Sequence, residues 1–106
     1  NVESAATSHG LACAIDEKSW LPPVALDPAL RSLLREESER LGLAALEMPS
    51  GAGHDAQTMQ AFCPSGLIFV PSRGGISHSP QEWSDWADME KGAQLMLNAL
   101  CRLAGT

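Results

Sequence analysis

The stretch LAALEMPSGAGHDAQTMQAFCPSGLIFVP, residues 43–71, decides the expected fold because several local patterns follow one another within it. Residues 43–49 predict a short strand, and the Ser-Gly-Ala-Gly run at 50–53 predicts a turn. Residues 54–63 favour a short helix that ends before a proline. The apolar run GLIFVP, 66–71, is typical of a strand buried on both faces. The stretch therefore predicts strand, turn, helix and strand.

The sequence on either side continues this alternation of strands and helices. Residues 10–15, GLACAI, form a short apolar run that predicts a strand. A clear helix follows, with Asp27 as N-cap, Pro28 at the first helical position and Gly42 placed to end it. The last helix is predicted at about 86–103. The fold class is therefore expected to be α/β, a small β-α-β-α-β-α layer on three strands.

Composition bounds the class of protein. A chain of 106 residues suits one domain, and its 44% hydrophobic content is that of an ordinary globular chain. The net charge of −6 argues against a nucleic-acid partner, which would favour clustered Lys and Arg. No apolar run approaches the ~20 residues of a membrane span, and the first ten residues lack a signal-peptide pattern. We expect no membrane partner and a cytoplasmic location.

Three cysteines, Cys13, Cys63 and Cys101, stand far apart and form no C-x-x-C pair. This spacing indicates neither a zinc knuckle nor a disulfide framework. Buried or half-buried thiols in a reducing cytosol are expected. A catalytic Cys63 is the less favoured alternative, because no activating group stands near it in the sequence.

His54 follows the glycine turn at 50–53 and opens the predicted helix. Glycine lets a backbone approach a ligand closely, and a helix N-terminus favours anions and a neutral imidazole that donates a hydrogen bond. The alternative is a helix-capping histidine in a surface turn. These residues alone leave the two interpretations open.

His78 lies between two serines in a loop after the third predicted strand. Neutral imidazole is a common metal ligand, but a zinc site normally takes three or more protein ligands. No close-spaced ligand motif is present, so a metal site built from this chain alone is not expected. The candidate co-ligands are His9, His54, Asp55, Glu82 and Asp85.

Other polar and aromatic residues are weaker candidates. Arg73, beside two glycines, suits a carboxylate ligand, but a solvated loop charge is the favoured interpretation. Ser50 and Ser65 each precede a glycine, yet neither lies in the G-x-S-x-G motif of a hydrolase. Trp83 and Trp86 are expected to pack as a lid over the terminal helix.

Two longer stretches, MPSGAGHDAQTMQAFCPSGLIFVPSRGGISHSPQEW at 48–83 and DMEKGAQLMLNALCRLAG at 88–105, resemble a known family. They are similar to the C-terminal end of the N-carbamoyl-L-amino-acid hydrolases, a group that includes the allantoate amidohydrolases and the yeast-type β-alanine synthases. These belong to the dinuclear zinc aminopeptidase and aminoacylase superfamily. The pair SGAGHDA and GISHSP, with histidines 24 positions apart, carries the resemblance. It is strong over 43–104 and extends to 10–42 in layout only.

The resemblance implies a role for three residues of this chain. His78 matches the last metal ligand of the family, and His54, with Gly53 before it, matches a substrate-binding position. The implied activity is hydrolysis of the ureido or amide bond of N-carbamoyl-L-amino acids or related ureido acids such as allantoate. It uses a metal-bridging water and a general-base glutamate. The cofactors implied for the parent enzyme are two divalent ions, Zn or Mn, Co or Ni.

The same resemblance implies that residues 1–106 form the C-terminal part of a two-layer or three-layer catalytic domain, with the lid domain and N-terminal part absent. The remaining metal ligands, the general base and the substrate-clamping residues belong to those parts; Glu36-Glu37 lies within a charged helix face and is not the family's Glu-Glu pair. The chain carries no catalytic residue, so we expect it to be inactive alone. The expected partners are a small carbamoyl or ureido acid and, through the lid, a second subunit of a homodimer.

One alternative from a different functional class stays open: a free-standing, non-catalytic module that shares this fold. It would bind a small ligand or another protein. In either case one face of a three-stranded sheet would lack a covering layer and would expose apolar side chains.

Overall fold

The computed structural model describes residues 1–105 and places four α-helices and one 3₁₀ turn along them. The helices are α1 (Val2–Ser8), α2 (Pro28–Arg40), α3 (Asp55–Met59) and α4 (Trp86–Leu103), and the 3₁₀ turn covers Arg73–Gly75. None of the helices in 1–105 is long and apolar enough to cross a bilayer.

Helix α2 begins and ends as its sequence predicts. The side-chain Oδ1 of Asp27 accepts a hydrogen bond from the backbone N–H of Leu30 at 2.8 Å, and Pro28 occupies the first helical position. Gly42 follows the last turn with φ +68°, a left-handed conformation that glycine adopts without a steric penalty. The predicted cap, start and stop are confirmed.

Helices α2 and α4 form the packed centre of the molecule. Leu95 and Ala99 on α4 are 8% and 4% exposed, and they are the only buried apolar residues in the described part of the chain. Glu37 and Ser38 on α2 are also buried, at 5% and 1% exposed. The Ser38 hydroxyl is satisfied because it donates to the carbonyl of Arg35 at 2.7 Å. The core is thus a single helix pair.

The three predicted strands are absent, and this corrects the expected β-α-β-α-β-α layer. Residues 10–15, 43–49 and 66–71 contain no strand in the described chain. A strand exists only when its backbone groups pair with a neighbouring strand, and these segments do not pair with one another. The backbone N–H of Asp27 donates to the carbonyl of Ser65 at 3.1 Å, which joins the start of α2 to the segment before 66–71 without forming a ladder.

The molecule is extended for its length. Its radius of gyration is 19.0 Å, whereas a compact domain of this size has about 13 Å. Its accessible surface is 8533 Å², compared with about 5,700 Å² for a folded chain of this mass. Large apolar side chains account for part of the excess, including Trp20, Leu46 and Phe62, which are 75–82% exposed. Most apolar side chains therefore lack a covering layer.

Two further features differ from expectation. Helix α1 forms at residues for which no helix was predicted; the side chain of Asn1 accepts a hydrogen bond from the N–H of Ser4 at 2.8 Å and caps it. Cys13 and Cys63 are exposed, and only Cys101 is half-buried. The expectation of buried or half-buried thiols is wrong for the first two, since their segments have no packing partner.

Candidate functional site

His54 stands at the junction between the glycine turn and α3. It is the N-cap residue of that helix, and its backbone N–H donates to the side-chain Oε1 of Gln57 at 3.3 Å. The helix covers Asp55–Met59, so it is shorter than the predicted 54–63. Five residues align only a few peptide dipoles, so the macrodipole argument for anion binding at this helix contributes little.

The imidazole of His54 is half-buried and contacts two other side chains. Its Nε2 lies 2.7 Å from the hydroxyl oxygen of Ser50, within hydrogen-bond distance. The ring of Phe69 meets it edge to face, with ring centroids 5.4 Å apart and an interplanar angle of 61°. The same Ser50 oxygen accepts a hydrogen bond from the backbone N–H of Ala52 at 3.2 Å. The ring is therefore held on one edge by a polar contact and supported by an aromatic one.

A shallow groove of about 360 Å³ opens beside this histidine. It brings the two substrate-binding candidates, Gly53 and His54, to one surface. A methyl group added at Gly53 would lie 3.9 Å from its nearest neighbour, so the chain itself leaves room there for a side chain. The groove is lined by Leu21, Pro22, Val24, Gly53, His54, Asp55, Gln57 and Thr58.

His78 is exposed and lies in a different part of the chain from this groove. Its φ of +55° is left-handed, which costs a residue with a side chain on the order of 1–3 kcal/mol unless the surroundings enforce it. The backbone N–H of His78 donates to the carboxylate of Glu82 at 3.2 Å. Within residues 1–105 no hydrogen bond or ring contact joins His78 to His54. His78 is not among the residues that line the groove beside His54.

The loop that carries His78 is anchored at both ends. The guanidinium of Arg73 lies 2.6 Å from a carboxylate oxygen of Asp85, the residue that precedes α4. The backbone N–H of Arg73 also donates to the carbonyl of Trp83 at 2.7 Å. Arg73 is therefore an ion-pair partner within the chain. Trp83 and Trp86 are 49% and 73% exposed, so the predicted aromatic lid over the terminal helix is wrong.

The residues present do not form a metal centre by themselves. Across residues 1–105 no group of three or more His, Cys, Asp and Glu side chains is arranged to hold an ion. Two of the candidate co-ligands have other partners: Asp85 pairs with Arg73, and Glu82 accepts the backbone N–H of His78. His9 Nδ1 lies 3.0 Å from the carbonyl of Ala5 at the end of α1.

Two neighbours of His54 were not identified from the sequence. Ser50 was considered only as a nucleophile, and Phe69 only as part of a strand. The signal for Ser50 was available, because a serine four positions before a histidine, with two intervening glycines, can fold its hydroxyl back onto the ring. Phe69 is 15 positions away along the chain, and no local pattern predicts such a contact.

Comparison with known proteins defines the class to which this chain is related. Residues 7–102 match the sequence profile of peptidase family M20/M25/M40. The chain is 37% identical to an N-carbamoyl-L-amino-acid amidohydrolase of Paenarthrobacter aurescens, over 93% of its own length and 24% of that protein. It is 40% identical to an allantoate amidohydrolase of Bacillus subtilis (strain 168), over 90% of its length and 23% of that protein.

A third relative, an allantoate amidohydrolase of Escherichia coli (strain K12), is 39% identical over 85% of this chain and 22% of its own length. No solved structure matches the chain. Because the profile covers nearly all of it, the chain belongs to peptidase family M20/M25/M40. It spans about a quarter of the length of the curated relatives that it matches.

Proposed function

We propose that this chain is the C-terminal segment of a metal-dependent amidohydrolase. The enzyme cleaves the ureido or amide bond of N-carbamoyl-L-amino acids or of related ureido acids such as allantoate. The observation that carries this proposal is the family match over residues 7–102, shared with relatives named for those two substrate classes.

In this proposal His54 binds the substrate. A half-buried imidazole at the edge of a groove is placed to donate a hydrogen bond to a carbonyl or carboxylate oxygen of a ligand. Gly53 lines the same groove, and its lack of a side chain keeps that edge open. The contacts from Ser50 and Phe69 restrict the ring, and such restriction reduces the entropy lost on binding.

His78 supplies one metal ligand. Its exposed side chain and left-handed backbone suit a residue that contributes to a site completed elsewhere, since strained backbone conformations concentrate at functional sites. The remaining ligands for two divalent ions would come from other parts of a longer polypeptide. Imidazole is a suitable ligand for Zn, Mn, Co and Ni alike.

A longer polypeptide would also explain why three apolar segments of this chain have no strand partner. We infer that 10–15, 43–49 and 66–71 become strands when a neighbouring part of the catalytic domain pairs with their backbone groups and covers their side chains. The result would be the α/β layer of a two-layer or three-layer domain. A lid domain outside residues 1–106 would form the contact between the two subunits of a cytoplasmic homodimer.

A chimera tests the proposal directly. In the Bacillus subtilis allantoate amidohydrolase, the segment that matches this chain is replaced by residues 1–106. Turnover of allantoate and of a panel of N-carbamoyl-L-amino acids is then measured alongside the metal content. We expect hydrolysis of at least one ureido acid. A folded, metal-loaded chimera without any such activity would overturn the proposal.

Two variants of the chimera separate the roles of the two histidines. His78→Ala should lower the bound metal and abolish turnover. His54→Ala should keep the metal and lower turnover on the order of 10²-fold, the usual loss when one positioned hydrogen-bond donor is removed. His9→Ala is the control, because the His9 ring nitrogen has its hydrogen-bond contacts with Ala5 and Ser8 of α1. A metal-replete, active His78→Ala variant would contradict the ligand assignment.

The chain alone provides a complementary assay. Because residues 1–105 bring no three ligating side chains together, we expect no turnover of N-carbamoyl amino acids by the isolated chain, even with added Zn, Mn or Co. Sustained turnover by the isolated chain would show that a complete site can assemble within it.

A further inference from the structure

Residues 72–85 form the loop that carries His78, and two contacts of Arg73 close this His78 loop at its base. The backbone N–H of Arg73 donates to the carbonyl of Trp83 at 2.7 Å. The guanidinium Nη2 of the same residue lies 2.6 Å from Oδ1 of Asp85. Both contacts join the start of the loop to the residues just before α4, so a single residue ties the two ends of the loop together.

Asp85 pairs with Arg73 instead of capping the helix that follows it. It occupies the N-cap position of α4, where an aspartate ordinarily accepts a hydrogen bond from a backbone N–H of the first turn. No such side-chain bond forms, because the carboxylate is turned toward Arg73. The side chain thus gives up its preferred local partner for a contact that shapes the loop.

Hydrogen bonds inside the loop extend from this base to His78. The backbone N–H of Glu82 donates to the carbonyl of Ser79 at 2.9 Å, and the Glu82 carboxylate accepts the backbone N–H of His78 at 3.2 Å. Among the described residues 1–105, the hydrogen bonds of residues 72–84 have both partners within the His78 loop. The hydrogen bonds that shape the loop are therefore its own.

We propose that Arg73 is a positioning residue for His78. By closing the base of the His78 loop, it keeps the loop in the conformation that presents the imidazole to a metal ion. A ligand on a mobile loop binds an ion more weakly, because only the fraction of molecules in the competent conformation can take it. This inference rests on the proposed function, in which His78 is a metal ligand.

The Zn²⁺ affinity of the metal-free chimera, measured by competition with a chromogenic chelator, tests the proposal. Arg73→Met removes the ion pair and should weaken Zn²⁺ binding roughly three- to fivefold, the upper range for one exposed pair. Loss of a positive charge by itself would favour a cation, so this expected effect has the opposite sign. Lys91→Met is the matched control, because it removes the same charge from a pair with Asp88 inside α4. Its Zn²⁺ affinity should not fall.

Rescue variants separate positioning from general damage to the fold. Arg73→Lys keeps the positive charge and should retain most of the Zn²⁺ affinity. The exchanged pair Arg73→Asp/Asp85→Arg restores an attraction between the two ends of the loop. It should bind Zn²⁺ more tightly than either Arg73→Asp or Asp85→Arg alone, whereas independent structural damage would make the double variant the weakest of the three.

Nitrogen-15 relaxation of the 106-residue chain measures the order of the loop without any metal. We expect amide order parameters at 76–82 near the value of rigid backbone, about 0.85. In Arg73→Met they should fall toward the ~0.6 of flexible segments, while those of α2 and α4 stay unchanged. Arg73→Lys should again resemble the wild type.

Two results would overturn the positioning role of Arg73. The first is a flexible His78 loop in the wild-type chain. The second is wild-type Zn²⁺ affinity in Arg73→Met when His78→Ala has lost metal, and this outcome would leave the proposed function standing. A metal-replete His78→Ala chimera would instead refute the ligand assignment, and the role of Arg73 would fall with it.

Discussion

Arg102 Nη1 on α4 lies 3.0 Å from Glu37 Oε1 on α2, a contact between residues 65 positions apart. The Glu37 side chain is only 6% exposed, and it also pairs with Arg40 at 3.1 Å. A second nitrogen of Arg102 lies 2.6 Å from Glu36. One guanidinium thus binds two carboxylates, and it does so beside the only buried apolar residues in the described chain. The helix pair depends on this contact as well as on apolar packing.

Replacing Arg102 should weaken the helix pair. In Arg102→Met the stem is kept but Glu37 loses a charged donor while still buried, so we expect a lower free energy of unfolding. Arg40 still pairs with Glu37 in this variant, and this limits the loss of stability. Urea denaturation followed by circular dichroism at 222 nm measures it.

Arg31→Met is the control for this experiment. Arg31 pairs with Glu47 at 3.2 Å, but both side chains are about half exposed, and exposed ion pairs contribute about 0–1 kcal/mol. Equal losses in the two variants would show that the buried carboxylate has no special part in stability.

Stability should also depend on pH through Glu36. The Arg102 guanidinium, through its hydrogen bond and its charge, holds the pKa of the Glu36 carboxyl below its ordinary value of 4.5. A carboxyl with a lowered pKa in the folded state stabilises that state above the unfolded pKa, and the contribution disappears as pH falls through the folded pKa. The urea midpoint should therefore fall more steeply below pH 4.5 in the wild type than in Glu36→Gln. Parallel profiles would contradict this assignment.

A close approach between Gly92 and Val70 should make an alanine at position 92 unfavourable. A Cβ at Gly92 would lie 2.5 Å from Cγ1 of Val70, and valine cannot rotate freely to relieve it. Gly→Ala inside a helix ordinarily gains about 1 kcal/mol, whereas overpacking costs about 1–3 kcal/mol. We expect net destabilisation of Gly92→Ala in urea denaturation.

The double variant Gly92→Ala/Val70→Ala tests the cause of that loss. In the Val70→Ala background the methyl groups that obstruct position 92 are gone. There, Gly92→Ala should raise the free energy of unfolding, as alanine ordinarily does inside a helix. If Gly92→Ala is destabilising to the same degree in both backgrounds, the contact with Val70 is not the reason.

The uncovered apolar surface should drive self-association of the isolated chain. The surface of 8533 Å² exceeds that of a compact chain, at about 5,700 Å², by more than the roughly 1,600 Å² that a standard interface buries. Analytical ultracentrifugation should show reversible association that rises with concentration. Phe62→Ser should reduce it, whereas Lys18→Ser, at a charged and exposed position, should not. A monomer at every concentration would contradict the expectation.

The helix ends were predictable because their causes are local. Asp27, Pro28 and Gly42 each act within one turn of the residue they cap or stop, and α4 has the predicted bounds. Helix α3 was predicted too long, since residues 60–63 leave the helix, and α1 was missed because its capping asparagine stands at the first residue.

The strands were not predictable in the same way. A β-favouring run such as 66–71 has an intrinsic preference but no hydrogen bonds of its own, so its state depends on a partner elsewhere. The same limit applies to the site. The sequence identified His54, Gly53 and His78 as candidates, and the structure brings the first two to one groove, whose lining does not include His78.

What the sequence determined by itself was the family, helices α2 and α4, and the candidate site residues, because these depend on residue type and short spacing. Only the tertiary structure decided that Ser50 and Phe69 contact His54, that Arg102 joins α2 to α4, and that the apolar runs remain uncovered. Each of these depends on how the backbone places a group against a specific neighbour in space. For Phe69 and Arg102 that neighbour is distant in the chain, and local sequence patterns do not predict contacts between residues so far apart in sequence.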